Sequence, residues 1–324
     1  MSKAIVIRSY GGSEVLVCED VDVGTPGAGQ LRIRQTGIGV NYHDVYVRSG
    51  LYKTLALPGI PGCEATGVVE AVGPDVSEFH VGDRIAYVTG GYGAYASHRL
   101  LPADLAVPIP DNVADQVAAS NLLRAMTVEM LTGHVCSISP GMTVLVHAAA
   151  GGVGRMLCQA LASLGANVIG TVGSAEKADI ARANGCSHTI LYREVDFIED
   201  VAKFTEGKGV QVVYDSVGAD TFAGSLEALD FCGHLVNFGQ SSGPIDPVAM
   251  ATLATKSLTV SRPILFHYMR DPRQYRTMAE QALSKFASGQ FQAPEPTPVP
   301  LTEASKAHEI LESMTGGGSL VLVP

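Results

Sequence analysis

Residues 144–154, VLVHAAAGGVG, join a buried-strand run to a glycine-rich turn and then to a helix. That succession is the architecture of a dinucleotide phosphate cradle, and it limits the fold more than any other stretch of the chain. Val144, Leu145 and Val146 read as a central parallel strand. Residues 155–164 continue with apolar side chains at helical spacing, namely Met156, Leu157, Ala160, Leu161 and Leu164. Gly151 is expected to make the tight turn, Gly152 to let a pyrophosphate approach the backbone, and Gly154 to let the helix pack closely on the strand. The helix N-terminus, with Val153 in its first turn, supplies free N–H groups and the positive end of its dipole. The core spacing is G-G-x-G rather than G-x-G-x-x-G, with Ala149 in place of the first glycine. Taken alone, the triplet also fits a tight strand–helix turn that binds nothing.

From residue 143 onward strands and helices alternate. Strand runs are read at 143–147, 167–171, 189–191, 210–215, 234–238 and 257–261, with a helix after the second that Ser174 can cap and Gly185 can end. Strands joined by crossover helices predict a doubly wound parallel sheet, hence an α/β class. The first third differs. Its short β-like runs at 4–7, 31–39, 65–72 and 84–87 are punctuated by Gly-Gly and Pro-Gly turn signals and predict a small, partly open β-barrel. After Arg262 come a long helix near 273–288, a proline-rich link (Pro294, Pro296, Pro298, Pro300), a helix near 304–313 and a final strand at 319–323. This tail is expected to return to the first domain.

Hydrophobic residues make up 46% of the 324 and charged residues 17%, which describes a folded chain with a large core and room for two domains. The net charge of −10 argues against nucleic acid or an anionic membrane as a general partner. No apolar run reaches the length of a membrane span and no cleavable leader is read at the N-terminus, so a soluble cytoplasmic protein is expected. The six cysteines are scattered without a C-x-x-C pair, and free thiols are expected, with Cys158 packed in the core.

An NAD-specific cradle places an acid at the end of the second strand, about twenty residues past the glycine turn. Here that strand runs into Gly173 and Ser174, followed by Lys177, while Tyr192 and Arg193 follow the third strand. Small and hydroxyl groups beside cations suit a 2′-phosphate, so NADPH is expected in preference to NADH. Each cation taken singly also reads as an ordinary solvated side chain.

Seven separated motifs bear on the family. They are GVNYHDVYVRSGLY (39–52), PGCEATGVVEAVG (61–73), VGDRIAY (81–87), HAAAGGVG (147–154), VGSAEKADIARANG (172–185), VYDSVG (213–218) and FGQSSG (238–243). On these the chain resembles the zinc-independent quinone oxidoreductases of the medium-chain dehydrogenase/reductase superfamily. The resemblance implies a GroES-like, β-rich catalytic domain over 1–124, completed by 262–324, and a Rossmann NADPH-binding domain over 125–261. It also implies an NADPH-filled cleft between them and a homodimer joined through the Rossmann sheets. Position by position, it places Asn41, Tyr46 and Tyr52 beside the nicotinamide, with Thr127 and Val153 as further neighbours of the cofactor. Gly173, Ser174, Lys177 and Tyr192 match the 2′-phosphate and adenosine contacts. Ser216, Phe238, Gly239 and Ser241 match later strand ends. Many relatives carry a cofactor-contacting Arg in the C-terminal segment, where this chain has Met314.

The ligand sets of the zinc-bearing relatives are not intact. Asn41 stands at the first catalytic ligand position, the G-H-E triplet reads Gly62, Cys63, Glu64, and no cysteine cluster follows Asp83. No metal is expected, the alternative being an ion shared by His43, Cys63 and Glu64. A quinone is electrophilic enough to accept hydride once positioned near the nicotinamide. Tyr52 is the candidate to orient or protonate the quinone oxygen, Asn41 a hydrogen-bond donor and Arg124 an electrostatic aid. Alternatives are an NADPH-dependent reductase of enone or alkenal double bonds, and a non-catalytic NADPH-binding structural or regulatory protein.

Overall fold

The computed structural model describes residues 2–313 and 319–324. The chain opens with strands β1 (Ser2–Val6), β2 (Val17–Val21) and β3 (Gln30–Gly39), helix α1 (Tyr42–Ser49), and strands β4 (Glu64–Val72), β5 (Arg84–Val88), β6 (His98–Pro102) and β7 (Val107–Pro108). Helix α2 (Asp115–Met130) leads into β8 (Thr143–Val146), α3 (Gly152–Ser163), β9 (Asn167–Val172), α4 (Ala175–Ala183), β10 (His188–Leu191), α5 (Phe197–Phe204) and β11 (Val210–Asp215). There follow α6 (Phe222–Ala228), β12 (Leu229–Asn237), α7 (Met250–Ala254), β13 (Thr259–Ser261), α8 (Leu265–Tyr268) and α9 (Pro272–Ala287). The last elements are β14 (Thr297–Pro300), α10 (Ala304–Glu312) and β15 (Leu320–Val323).

Two compact units result, Met1–Met126 with Tyr268–Pro324, and Thr127–His267. In the first, the main sheet runs β14-β15-β3-β4-β5-β7, with β6 also pairing β3. All its pairings are antiparallel except β14 with β15. Its core collects inward residues of these strands, among them Leu31, Ile33, Ile38, Tyr87, Leu101 and Leu322, together with Ile5 of β1 and Tyr95 from the segment between β5 and β6. Alternation along β3 shows why: Leu31, Ile33 and Gln35 are buried, while Arg34 between them is exposed. Gln35 is buried at no loss because its amide nitrogen donates to the carbonyl of Ala94 at 2.8 Å, and the Tyr87 hydroxyl donates to its oxygen at 2.6 Å.

The second unit is a six-stranded sheet, β10-β9-β8-β11-β12-β13, parallel throughout. Val144, Leu145 and Val146 are fully buried, as a central strand covered on both faces requires. The order reverses between β8 and β11, which creates the crevice where such sheets bind ligands.

Three features depart from the sequence expectation. The proline-rich link contains a strand: Pro298 pairs with Val321 and Pro300 with Val323, at the sheet's edge, where a missing N–H costs least. Strand β12 begins at Leu229 rather than 234. Its first part carries the exposed Phe231 and a left-handed Cys232, φ +60°, so it lacks the apolar run that marks its second half. Helix α1 is not expected from the sequence, because YHDVYVRS mixes polar and apolar residues. Gly50, with φ +83°, stops it. Among the described residues no helix is long and apolar enough to cross a membrane.

Candidate active site

In the second unit Gly151 closes the turn after β8, as expected, although it does not supply the turn's left-handed residue. The left-handed residue is Ala148, with φ +52°, not Gly151, which is extended at φ −74°, ψ 174°. Gly151 is needed for a different reason. It caps α3, its N–H donates to the Ala148 carbonyl at 2.8 Å, and a Cβ there meets the same oxygen at 3.0 Å. Gly154 performs the expected close packing, since a Cβ on it falls 2.2 Å from that oxygen. Ala149 takes the place of the missing glycine because its methyl lies over Gly170 of β9, where a Cβ would come within 2.6 Å. Arg155 is the first residue to donate back into α3, to the Gly151 carbonyl at 2.9 Å. The N–H groups of Gly152, Val153 and Gly154 thus have no intrahelical acceptor, and Gly151 and Gly152 are exposed to an incoming phosphate.

His147 stiffens the turn from below. Its Nδ1 lies 2.9 Å from Thr171 Oγ1 and its Nε2 2.9 Å from Ser225 Oγ. Burial pushes its pKa down to about 4, so the ring is neutral at pH 7 and its two nitrogens act as one donor and one acceptor.

The end of β9 lies beside this turn, joined to it by the Ala149 N–H, which donates to the Thr171 carbonyl at 3.1 Å. Ser174 caps α4 by accepting from the Lys177 N–H at 3.4 Å. A Cβ on Gly173 meets the Tyr192 hydroxyl at 3.2 Å and Arg193 Nε at 3.4 Å. Gly173, Ser174, Lys177, Tyr192 and Arg193 therefore form one cluster, with Tyr192 and Arg193 exposed and Lys177 half-buried. Glu176, in the first turn of α4, hydrogen-bonds the Ser174 hydroxyl and is held below the usual carboxylate range by it.

Beyond the switch point, Ser216, Phe238, Gly239 and Ser241 meet at the ends of β11 and β12. The Ser241 N–H donates to the Ser216 carbonyl at 3.3 Å, and a Cβ on Gly239 falls 2.5 Å from that oxygen. Buried Asp215, which sequence reasoning missed, organises this loop. Its carboxylate accepts from the Val217 N–H at 2.7 Å, the Thr221 hydroxyl at 2.9 Å and the Asn237 amide at 3.2 Å. Thr127 is buried on α2. Amide donors at a helix start, a cation-bearing second strand end and glycines whose missing Cβ atoms leave the backbone bare fit a phosphorylated dinucleotide. Met314 lies outside the described residues.

In the first unit, Asn41 caps α1 and is 6% exposed. Its amide nitrogen donates to Glu64 Oε1 at 2.7 Å, and its backbone N–H donates to Asp44 Oδ2 at 2.9 Å. Glu64 Oε2 accepts the Leu123 N–H of α2 at 2.7 Å. Burial raises both carboxyls to about 7, against the lowering effect of these donors. Arg124 is 7% exposed and donates to Ser319 Oγ and to the Val40 carbonyl, the latter at 3.4 Å; its charge draws Glu64 back down. Tyr46 and Tyr52 meet edge to face at 5.1 Å, and both remain half-buried. The Tyr52 N–H donates to the Tyr46 carbonyl at 2.9 Å. His43 stands 5.6 Å from the Tyr52 ring, and burial lowers its pKa to about 4.

His43, Cys63 and Glu64 do not converge on an ion. His43 Nε2 faces the Tyr92 hydroxyl at 3.2 Å, Glu64 is held by Asn41 and Leu123, and the Cys63 thiol hydrogen-bonds Asp44, which with burial pushes the thiol's pKa well up. Among the described residues no three His, Cys, Asp or Glu side chains are grouped to hold a metal.

Residues 27–111 match the family described as "Alcohol dehydrogenase GroES-like domain" and residues 152–284 that described as "Zinc-binding dehydrogenase". The chain is 41% identical to a quinone oxidoreductase of Pseudomonas aeruginosa and 40% identical to a 2-haloacrylate reductase of a Burkholderia species. It is matched over its whole length in both, covering 100% and 99% of those proteins. The crystal structure of Escherichia coli quinone oxidoreductase complexed with NADPH superposes with a TM-score of 0.96 at 39% identity, over 100% of both chains. The chain therefore belongs to the quinone oxidoreductase family of the medium-chain dehydrogenase/reductases.

Proposed function

We propose that the protein is an NADPH-dependent quinone reductase that works without a resident metal ion. The observation that carries this reading is the cluster of Lys177, Tyr192 and Arg193 around Gly173 and Ser174, cationic where an NAD-specific site is acidic. The N–H groups of Gly152 and Val153, beside Gly151, bind the pyrophosphate. Ser174, Lys177 and Tyr192 bind the 2′-phosphate end. Ser216, Phe238, Gly239, Ser241 and Thr127 line the path toward the nicotinamide, which supplies the hydride when NADPH is bound.

Tyr46 and Asn41 flank the reacting end in this reading. One Asn41 N–H is held by Glu64, which fixes the plane of the amide and directs its second N–H. The Tyr52 hydroxyl hydrogen-bonds the acceptor oxygen, and the buried Arg124 supplies positive potential as negative charge develops there. The metal-free reading rests on the donor set, in which Asn41 replaces the first ligand and Glu64 is already bonded. Metal analysis of the purified enzyme, with activity followed through chelation, checks it; stoichiometric zinc lost together with activity sinks it.

The likeness to a 2-haloacrylate reductase favours a second reading, reduction of an activated carbon–carbon double bond. It uses the same cofactor and the same oxygen-facing donor. NADPH oxidation measured side by side with a quinone, a 2-haloacrylate, an enone and a simple aldehyde separates the two. Tight NADPH binding with no turnover of any of them supports the non-catalytic alternative. We further infer a cytoplasmic homodimer joined through the second unit. The outer strand β13, which pairs with β12 on one side only, and the free state of the six cysteines support this. Sedimentation equilibrium checks the mass.

A further inference from the structure

His43, Tyr92 and Thr54 form a continuous chain of exchangeable protons in the first unit. His43 Nε2 lies 3.2 Å from the Tyr92 hydroxyl, and the same hydroxyl is hydrogen-bonded to Thr54 Oγ1. The imidazole and phenol rings are nearly parallel, 14° apart with centroids at 5.9 Å. Tyr92 is 5% exposed, whereas Thr54 is exposed to solvent. One end of the chain is thus wet, and the other is a ring 5.6 Å from Tyr52.

The backbone gives an independent reason to single out Tyr92. It is left-handed, φ +59°, although Gly91 and Gly93 flank it. A bulky residue in that region is strained and persists only where the surroundings hold it. Here the Gly91 N–H donates to Thr89 Oγ1 at 3.0 Å and the Gly93 N–H to the Ile60 carbonyl at 2.9 Å, clamping both sides. A turn that has glycines on both sides yet places a tyrosine at a strained position gains only the placement of that side chain. Burial keeps the phenol protonated, with its pKa raised to about 12, and keeps His43 neutral. Each member can therefore accept one proton and release another.

We propose that Thr54, Tyr92 and His43 are the proton relay that supplies the acceptor oxygen during reduction. This rests on the quinone-reductase reading. Reduction of a quinone to its hydroquinone takes up a hydride, from NADPH, and one proton. Solvent water gives a proton to Thr54 Oγ1 as the Thr54 O–H proton passes to Tyr92 Oη. The Tyr92 O–H proton passes to His43 Nε2, and the Nδ1–H of His43 passes to the hydroquinone oxygen. Every O–H or N–H bond broken is matched by one formed, and His43 ends neutral as its other tautomer, which exchanges through solvent before the next turnover.

The test compares wild type, Tyr92→Phe, Thr54→Val and Thr54→Ser in quinone reduction, with kcat, NADPH KM and the solvent deuterium isotope effect measured for each. Alongside it, ¹⁵N shifts of labelled His43 are recorded in the resting enzyme. Tyr92→Phe keeps the aromatic ring and position 54 is exposed, so the fold is retained, which thermal melting verifies. The relay predicts a kcat loss of about tenfold or more in Tyr92→Phe with NADPH KM unchanged. It also predicts a smaller loss in Thr54→Val, wild-type behaviour in Thr54→Ser, and an Nδ1–H tautomer of His43 whose Nε2 resonance moves in Tyr92→Phe. Wild-type kcat and an unchanged isotope effect in Tyr92→Phe overturn the relay alone. A wild-type enzyme that reduces no quinone overturns the relay together with the reading on which it rests.

Discussion

Asn41 donates its side-chain amide to Glu64 at 2.7 Å, and Glu64 spans from it to the Leu123 N–H of α2 at the same distance. A carboxylate thereby ties the cap of α1 to the middle of α2, fully buried.

This burial has a pH signature. The folded pKa of Glu64 is about 7, above the ordinary carboxyl value of 4.5, so below pH 4.5 its contribution to stability is fully present and it is lost as pH rises to about 7. Glu64→Gln carries no such titration. Relative to wild type, the variant is expected to gain stability between pH 4.5 and 7 and to level off above, by on the order of 3 kcal/mol. Asp44, whose pKa Glu64 helps to raise, shifts in the same sense. Melting curves of both proteins across this range check the sign; a difference independent of pH contradicts it.

The turn after β8 separates two kinds of glycine demand. Ala148→Gly relieves a left-handed alanine and is expected to be neutral or stabilising by up to about 1 kcal/mol. Gly154→Ala drives a Cβ to 2.2 Å from the Ala148 carbonyl and is expected to destabilise by at least about 2 kcal/mol and to weaken NADPH binding. Chemical denaturation and fluorescence titration with NADPH measure both.

Cofactor choice rests on the cluster around Gly173. Lys177→Ala is expected to raise the NADPH KM about tenfold while leaving that for NADH within about twofold, because one charge-assisted contact is lost with the 2′-phosphate alone. Equal effects on the two cofactors in steady-state kinetics assign Lys177 to general structure instead.

Tyr52→Phe removes one hydroxyl and leaves the edge-to-face contact with Tyr46 in place. Turnover of quinones is expected to fall about tenfold or more with NADPH affinity nearly unchanged. Unchanged kinetics across several quinones dismiss the residue from the mechanism.

The central parallel strands of the second unit are legible in the sequence because they are buried on both faces: Val144–Val146 and the Val212–Tyr214 stretch are apolar without interruption. Strands β2 and β14 are not, since no residue of VCEDV is buried and TPVP carries two prolines. The glycine turn is legible in its residues but not in its geometry: nothing in HAAAGGVG says that an alanine, and not a glycine, takes the positive φ. Asn41, Tyr46 and Tyr52 are found because they stand in a motif. Asp44, Tyr92 and Asp215 escape notice because their importance lies in partners 51, 38 and 22 residues away, in Tyr95, Thr54 and Asn237. The one local sign is an acid inside a run of small and apolar residues, as Glu64 is in GCEATG.

Strand β15 lies between β14 and β3, inside the sheet of the first unit. During synthesis, the edge of β3 that receives it stays open until residue 323 has left the ribosome, whereas residues 127–267 are complete much earlier. The order of folding on the ribosome is thus inverted relative to the order of the chain: the middle matures first and the beginning waits for residues 320–323. Ribosome stalling just before β15 is synthesised accordingly holds the nascent chain with a finished dinucleotide fold and an unfinished partner.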